Sequence, residues 1–183
     1  MNEQVTIKEL DEIETKLRLG AFSVYDMECI YPELIKLKEN EIYCEIGVDK
    51  GKSLSFARYV TDPKVVVCGV DLRDDPKVEG TRFFHGDSKY IADRWHWELF
   101  MWKISLLFID GDHSYEGCKK DIDAWLPHMK EHGVIFFHDH DESSPGVMQA
   151  ASEFVNTYGK THDLNYRIYK KTDKNTSMAG IWL

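Results

Sequence analysis

The chain is expected to fold as a doubly wound, mainly parallel α/β sheet of seven strands that ends in an antiparallel hairpin. Short, continuous apolar runs recur along it: EIYCEIG (41–47), VVVCGVDL (65–72), ISLLFID (104–110) and VIFFHD (134–139). Strands apolar on both faces belong to parallel sheets covered by helices. Segments of helical periodicity lie between these runs, the alternation that builds such a sheet. The last two apolar segments, LNYRIYKK (164–171) and TSMAGIWL (176–183), stand four residues apart. That is too short for a crossover, so they pair as a hairpin.

Residues 6–18 and 32–39 carry helical periodicity (Ile7, Leu10, Ile13 and Leu17; then Leu34, Ile35 and Leu37), separated by an aromatic-rich connection. They form an N-terminal helical segment, 1–40, ahead of a core at 41–183, and the whole of 1–183 reads as one domain. The first strand, 41–47, leads to a helix over 52–60. The second, 65–72, begins after the turn residues Asp62 and Pro63. RFFHGDS (82–88) is a short third strand, and a tryptophan-rich amphipathic helix follows over 89–100. The fourth strand, 104–110, precedes a helix over 114–130, with Tyr115, Cys118, Ile122, Trp125 and Met129 at spacings of three and four. Gly133 introduces the fifth strand, 134–139. Ser144 and Pro145 read as a cap and a first-turn proline. Val147, Met148, Ala151, Phe154, Val155 and Tyr158 then line one face of the last helix.

Composition narrows the function. A net charge of −9 lacks the basic footprint of a nucleic-acid binder. Cys29, Cys44, Cys68 and Cys118 are scattered with no metal-ligand spacing and read as reduced, with Cys44 and Cys68, inside apolar runs, as small buried hydrophobes. The first residues, MNEQVTIKELDEIE, have no apolar signal core, and no run approaches the roughly 20 apolar residues of a membrane span. The expectation is a cytoplasmic protein without membrane or nucleic-acid partners.

The strand ends carry the chemistry. The first runs into Glu45-Ile46-Gly47-Val48-Asp49-Lys50-Gly51-Lys52-Ser53. Glycines at a strand-to-helix turn let a ligand approach the backbone, and the helix start offers free N–H groups. The dinucleotide pattern G-x-G-x-x-G is absent. Asp71, 24 residues after Gly47, ends the second strand where an acid can accept from ribose hydroxyls. The plainer alternative is a tight turn and a capped strand end.

Taken together, E-x-G-x-x-x-G-x-S, the acid ending the second strand, Gly86-Asp87-Ser88 after the third and IDGDHSYEG with a later GVIFFHD resemble class I S-adenosylmethionine-dependent methyltransferases. Within them the motifs are similar to small-molecule O-methyltransferases of the macrocin type, distantly related to catechol O-methyltransferase. The resemblance covers about residues 40–183 and implies a Rossmann-like fold. It implies that Gly47 and Gly51 frame the methionine end of the cofactor, with Glu45 and Ser53 as polar supports. Asp71 would hold the ribose, Leu72 would pack on the adenine face and Asp87 with Ser88 would meet the adenine. Asp110 would lie beside the methionine moiety or a metal.

Transfer to oxygen requires an aligned acceptor and the loss of its proton. In metal-dependent relatives the acids ending the fourth and fifth strands bind magnesium, and Asp110 and Asp139 match those positions. The neighbour of Asp139 is His140, where relatives carry Asp, Glu or Asn. This leaves open whether a divalent metal (magnesium, manganese or similar) is used, with Asp110, Asp139 and His140 as its candidate ligands. His113 stands where catechol-type enzymes carry a basic lysine, and is the favoured general base beside Asp110 and Asp112. Asp112 or Ser114 can equally cap the following helix, and His138 and His140 can be rim histidines with ordinary partners. His85, His96, His128, His132 and His162 are assigned no role, and Trp95, Trp97 and Trp102 are read as packing. The leading function is O-methylation of a small hydroxylated molecule. The alternatives are a metal-dependent hydrolase or hydroxylase on Asp110, Asp139 and His140, or a non-catalytic nucleotide-binding module; a homodimer is left open. Residues 1–40, 73–80 and 141–147 would shape the acceptor pocket.

Overall fold

The computed structural model describes residues 6–17, 20–95, 102–170 and 177–183. Strands β1 (Ile42–Ile46), β2 (Val66–Asp71), β3 (Arg82–His85), β4 (Ile104–Ile109), β5 (Met129–Phe137), β6 (Asn165–Lys170) and β7 (Ser177–Trp182) form one sheet in the order β3-β2-β1-β4-β5-β7-β6. The first five run parallel, and β7 is antiparallel to both β5 and β6. The chain builds outward from β1 to β3 and then crosses back to β4. That reversal opens a crevice at the carboxyl ends of β1 and β4, where ligands bind in such sheets.

Helices α1 (Ile7–Glu14), α2 (Val24–Leu34), α3 (Lys52–Val60), α4 (Ser88–Ala92), α5 (Tyr115–Trp125) and α6 (Pro145–Tyr158) cover the two faces. Side chains alternate along each strand, so each face has its own core. Ile42, Cys44 and Ile46 of β1 pack with Ile122 and Trp125 of α5 and Ala151 and Phe154 of α6. Tyr43 points the other way, to a core shared with Leu10, Met27, Ile30, Leu34 and Phe56. The four cysteines are free and buried, Cys44 and Cys68 as their apolar runs predicted.

The N-terminal segment differs from expectation. Its second helix is Val24–Leu34, which begins in the stretch read as a connection and overlaps the expected 32–39 helix only in its last turn, because Ser23 and Asp26 form a capping box. Pro32 lies in the last turn of that helix, not at its start, and costs one backbone hydrogen bond there. The first helix is shorter than expected, ending at Glu14. Two further boundaries move. The helix after β4 stops at Trp125, where a 3-10 turn, Leu126–His128, contains Pro127. Met129, expected on that helix, instead pairs with Ile104 as the first residue of β5, and the register then shifts before Leu106 pairs with Val134. Ser144 precedes the last helix as expected, but its side chain makes no capping hydrogen bond. Of the helix expected over 89–100, Ser88–Ala92 is seen as α4 and residues 96–100 lie outside the described ones.

Candidate active site

A cleft of about 1010 Å³ opens over the carboxyl ends of β1, β2 and β4. Its lining includes Gly47, Asp71, Leu72, Asp87, Ser88, Asp110, Asp112, His113 and Asp139.

The glycine turn is tied to the second strand by its acid. Gly47 has a φ of 84°, and a Cβ there would collide with the Asp110 carbonyl, so only glycine fits. Asp71 Oδ2 accepts from the backbone N–H of Val48 at 2.6 Å and of Asp49 at 2.8 Å, while Oδ1 accepts from Arg73 N at 2.8 Å. The carboxylate thus braces the turn and still presents lone pairs to the cleft. Asp49 also pairs with Arg73 across its mouth. Leu72 is 71 % exposed, an apolar side chain offered to the cleft beside an acid.

Glu45, Ser53 and Gly51 lie behind this wall, not on it. Glu45 is wholly buried, accepting from Ser53 Oγ at 2.5 Å and Tyr43 Oη at 2.7 Å. Burial, against those two hydrogen bonds, pushes its carboxyl up to about 8. The pair supports the turn from beneath. Gly51 caps α3 and faces Pro76 and Val78.

At the other end of the cleft, Asp87 caps α4 by accepting from Tyr90 N at 3.0 Å, and meets Lys120 Nζ at 2.7 Å. Ser88 Oγ accepts from Trp125 Nε1 at 2.8 Å. Trp95 is 1 % exposed and packs edge-on against Trp125. It belongs to the core, whereas Trp97 lies outside the described residues.

The rim holds a dense charge cluster around Asp110 and Asp139. His113 Nε2 stands 3.4 Å from Asp110 Oδ1 and 3.4 Å from Asp139 Oδ2. His138 Nδ1 approaches the same two oxygens, at 3.3 and 3.1 Å. Asp139 has a φ of 52°, a left-handed conformation uncommon outside glycine and a recurrent feature of functional sites. The hydrogen bond to Asp110 holds the His113 imidazole above the usual histidine range, against burial. Burial opposes charge on His138, but its contacts with Asp110, Asp139 and Asp26 outweigh that and raise it to about 12. Asp110, whose desolvation is offset by both imidazoles, is held below the usual carboxylate range.

Two site residues expected from the sequence are placed otherwise. His140 turns away from the rim: it is 1 % exposed and its Nε2 meets Tyr166 Oη at 2.8 Å, so it does not join Asp110 and Asp139. Asp112 lines the cleft, but its Oδ1 accepts from Ser114 N at 2.9 Å, and Ser114 Oγ caps α5. It is a turn-forming acid. Three residues were not assigned to the site from sequence: Asp26, His138 and Asp121. Asp26, 1 % exposed, puts Oδ2 3.4 Å from His138 Nε2. Its signal was the Ser23-x-x-Asp26 spacing. Asp121 had a signal too, as an acid on the apolar face of a helix.

Asp110, His113 and Asp139 each offer one ligand atom, all within 4.8 Å of one another. Two carboxylate oxygens and an imidazole nitrogen form a donor set that fits a divalent cation of the magnesium-to-zinc range.

A family model described as "Methyltransferase domain" matches residues 44–140, just over half of the chain. An uncharacterized protein of Acanthamoeba polyphaga mimivirus is 27 % identical over 134 residues, 64 % of this chain and 61 % of that one. Among solved structures, MycE methyltransferase of the mycinamycin biosynthetic pathway, in complex with magnesium and SAH, superposes with a TM-score of 0.70 at 17 % identity, over 98 % of this chain and 55 % of MycE. The TDP-rhamnose 3'-O-methyltransferase of calicheamicin biosynthesis gives 0.64 at 15 % identity, over 96 % and 92 %. The O-methyltransferase of Bacillus cereus, in complex with SAH, gives 0.67 at 11 % identity, over 96 % and 88 %. The chain therefore spans somewhat over half the length of both the viral relative and MycE. These likenesses establish a Rossmann-like methyltransferase fold, and the family match shows that the chain belongs to the methyltransferase-domain family.

Proposed function

We propose that the chain, as one domain over residues 1–183, transfers the methyl group of S-adenosylmethionine to a hydroxyl oxygen of a small molecule. The observation that carries this is the meeting of Asp110, His113 and Asp139 at one edge of a cleft that Gly47, Asp71 and Leu72 also line. The hydrolase alternative needed His140 on the rim, and His140 faces Tyr166 instead.

S-adenosylmethionine supplies an electrophilic methyl group, so no covalent enzyme intermediate is required and the protein's work is alignment and proton removal. Asp71 receives the ribose hydroxyls, and Leu72 covers one face of the adenine. Gly47 packs its turn directly on the Asp110 carbonyl, and the methionine end lies against that turn. The acceptor enters beside Ala21, Arg73, Asp141 and Ser143, which line the cleft. His113 takes the proton of its hydroxyl. Asp110 and Asp139 orient that imidazole and stabilise its charged form once the proton has moved. Alternatively, Asp110, Asp139 and His113 would hold a divalent cation, which when bound would lower the pKa of a coordinated hydroxyl, and His113 would then serve as a ligand in place of the base.

Incubation with methyl-tritiated S-adenosylmethionine and a panel of phenols, catechols and glycosides tests this, with and without EDTA and added magnesium or manganese. Transfer to an oxygen acceptor, lost in Asp110→Asn, is expected. Transfer confined to amine or thiol acceptors would refute the oxygen assignment.

A further inference from the structure

Asp121 has no part in the scheme above, yet it is the buried acid of the adenine end. It sits on α5, is 5 % exposed, and lines the cleft beside Ser88, Gly111 and Gly117. Two residues tie it to the adenine end. Trp125 Nε1 donates to Ser88 Oγ at 2.8 Å, and the Ser88 side chain in turn interacts with the Asp121 carboxylate. Gly111 keeps the approach open, since a Cβ there would lie 3.1 Å from Asp121 Oδ2.

An ionised carboxylate has about four lone-pair sites. Burial leaves this one poorly solvated, and pushes it up to about 6 in spite of the Ser88 hydrogen bond. A donor on a ligand would relieve that cost. Asp87, the acid that the resemblance directs at adenine, is differently placed. Its side chain is 47 % exposed and already engaged by Lys120 Nζ at 2.7 Å and Tyr90 N at 3.0 Å. Of the two, Asp121 has more to gain from a ligand N–H. Leu72, exposed in the same cleft, provides the apolar cover that a purine ring needs.

We propose that Asp121 accepts a hydrogen bond from the 6-amino group of the cofactor's adenine and thereby selects adenosyl over 6-oxopurine ligands. The proposal rests on the S-adenosylmethionine reading of the cleft. A 6-oxo group is an acceptor, so it would face the Asp121 carboxylate with no hydrogen between them, the kind of mismatch that discriminates strongly.

The test is calorimetric titration of the full chain with S-adenosylhomocysteine and with S-inosylhomocysteine. Wild type should prefer the adenosyl ligand by at least about tenfold. Asp121→Asn, whose amide can donate to a 6-oxo group, should narrow that ratio by about tenfold or more. Ser88→Ala should shift it the same way by a smaller factor. Asp123→Asn, on the exposed face of the same helix, should leave it unchanged. An unmoved ratio in Asp121→Asn overturns the proposal, as does a ratio that collapses in Asp87→Asn alone. Should Asp121→Asn fail to fold, an unmoved ratio in Ser88→Ala overturns it. Wild-type protein that binds no S-adenosylhomocysteine refutes the cofactor reading and the proposal with it, whereas binding with an unmoved ratio refutes the proposal alone.

Discussion

Replacing Asp71 with alanine should weaken cofactor binding and loosen the glycine turn together. The carboxylate accepts from Val48 N at 2.6 Å, Asp49 N at 2.8 Å and Arg73 N at 2.8 Å. Its remaining lone pairs are those proposed to take the ribose hydroxyls. Hydrogen bonds to a charged group contribute about 1.5–3 kcal/mol, so affinity for S-adenosylhomocysteine should fall roughly 10- to 150-fold. The freed turn N–H groups are partly reached by water, so stability should drop by only about 1–2 kcal/mol. For a chain of this size that is a melting-point decrease of roughly 2–8 °C. Calorimetry gives the first number and thermal denaturation the second. Asp71→Asn keeps one acceptor for the turn, so it should retain more of the stability than of the affinity. Wild-type affinity in Asp71→Ala would refute the argument.

Further outcomes are expected elsewhere in the molecule. Gly47→Ala should abolish ligand binding and cost several kcal/mol, because its Cβ meets the Asp110 backbone at a positive φ; soluble yield and urea midpoints would report this. Glu45 should give the fold a pH dependence. Its folded pKa of about 8 lies above the ordinary carboxyl value of 4.5, so the native state holds the extra proton between those limits. Stability should then decline as pH rises through that window, and Glu45→Gln should flatten the decline in urea midpoints measured at pH 5 and pH 8. Asp26→Asn should destabilise by more than Ser23→Ala, whose lost cap is worth about 1 kcal/mol, because only the former also disturbs the buried contact with His138. If His113 is the base, the raised pKa means that turnover should climb with pH through a midpoint above the ordinary histidine value, and His113→Ala should lose roughly a hundred-fold or more.

The parallel core was legible because its strands are buried on both faces and so appear as unbroken apolar runs. The hairpin was legible because four residues cannot carry a crossover. The second helix was misplaced because Leu34, Ile35 and Leu37 carry a helical spacing past its true end, while the Val24, Met27, Ile30 and Leu34 stripe that it buries is interleaved with the aromatics of the expected connection. Met129 was read as helical because Pro127, which ends α5, falls within the spacing of three and four. Within the site, acids ending strands were readable from position alone: Asp71, Asp110 and Asp139 reach the cleft. What position could not show was side-chain direction. His138 and His140 flank the same acid, yet one turns into the Asp26–Asp110–Asp139 cluster and the other to Tyr166 on the distant hairpin. Asp26 comes from α2, far along the chain from β4 and β5, and only tertiary packing brings it to His138.

The central claim is that the cleft is built for S-adenosylmethionine and not for a dinucleotide, since the turn after β1 has Val48 and Asp49 where a dinucleotide turn needs glycine spacing. Calorimetric titration of one preparation with S-adenosylhomocysteine and with NAD tests it most directly. Saturable binding of S-adenosylhomocysteine, well above any affinity for NAD, is the predicted result. NAD bound as tightly or more tightly would contradict it.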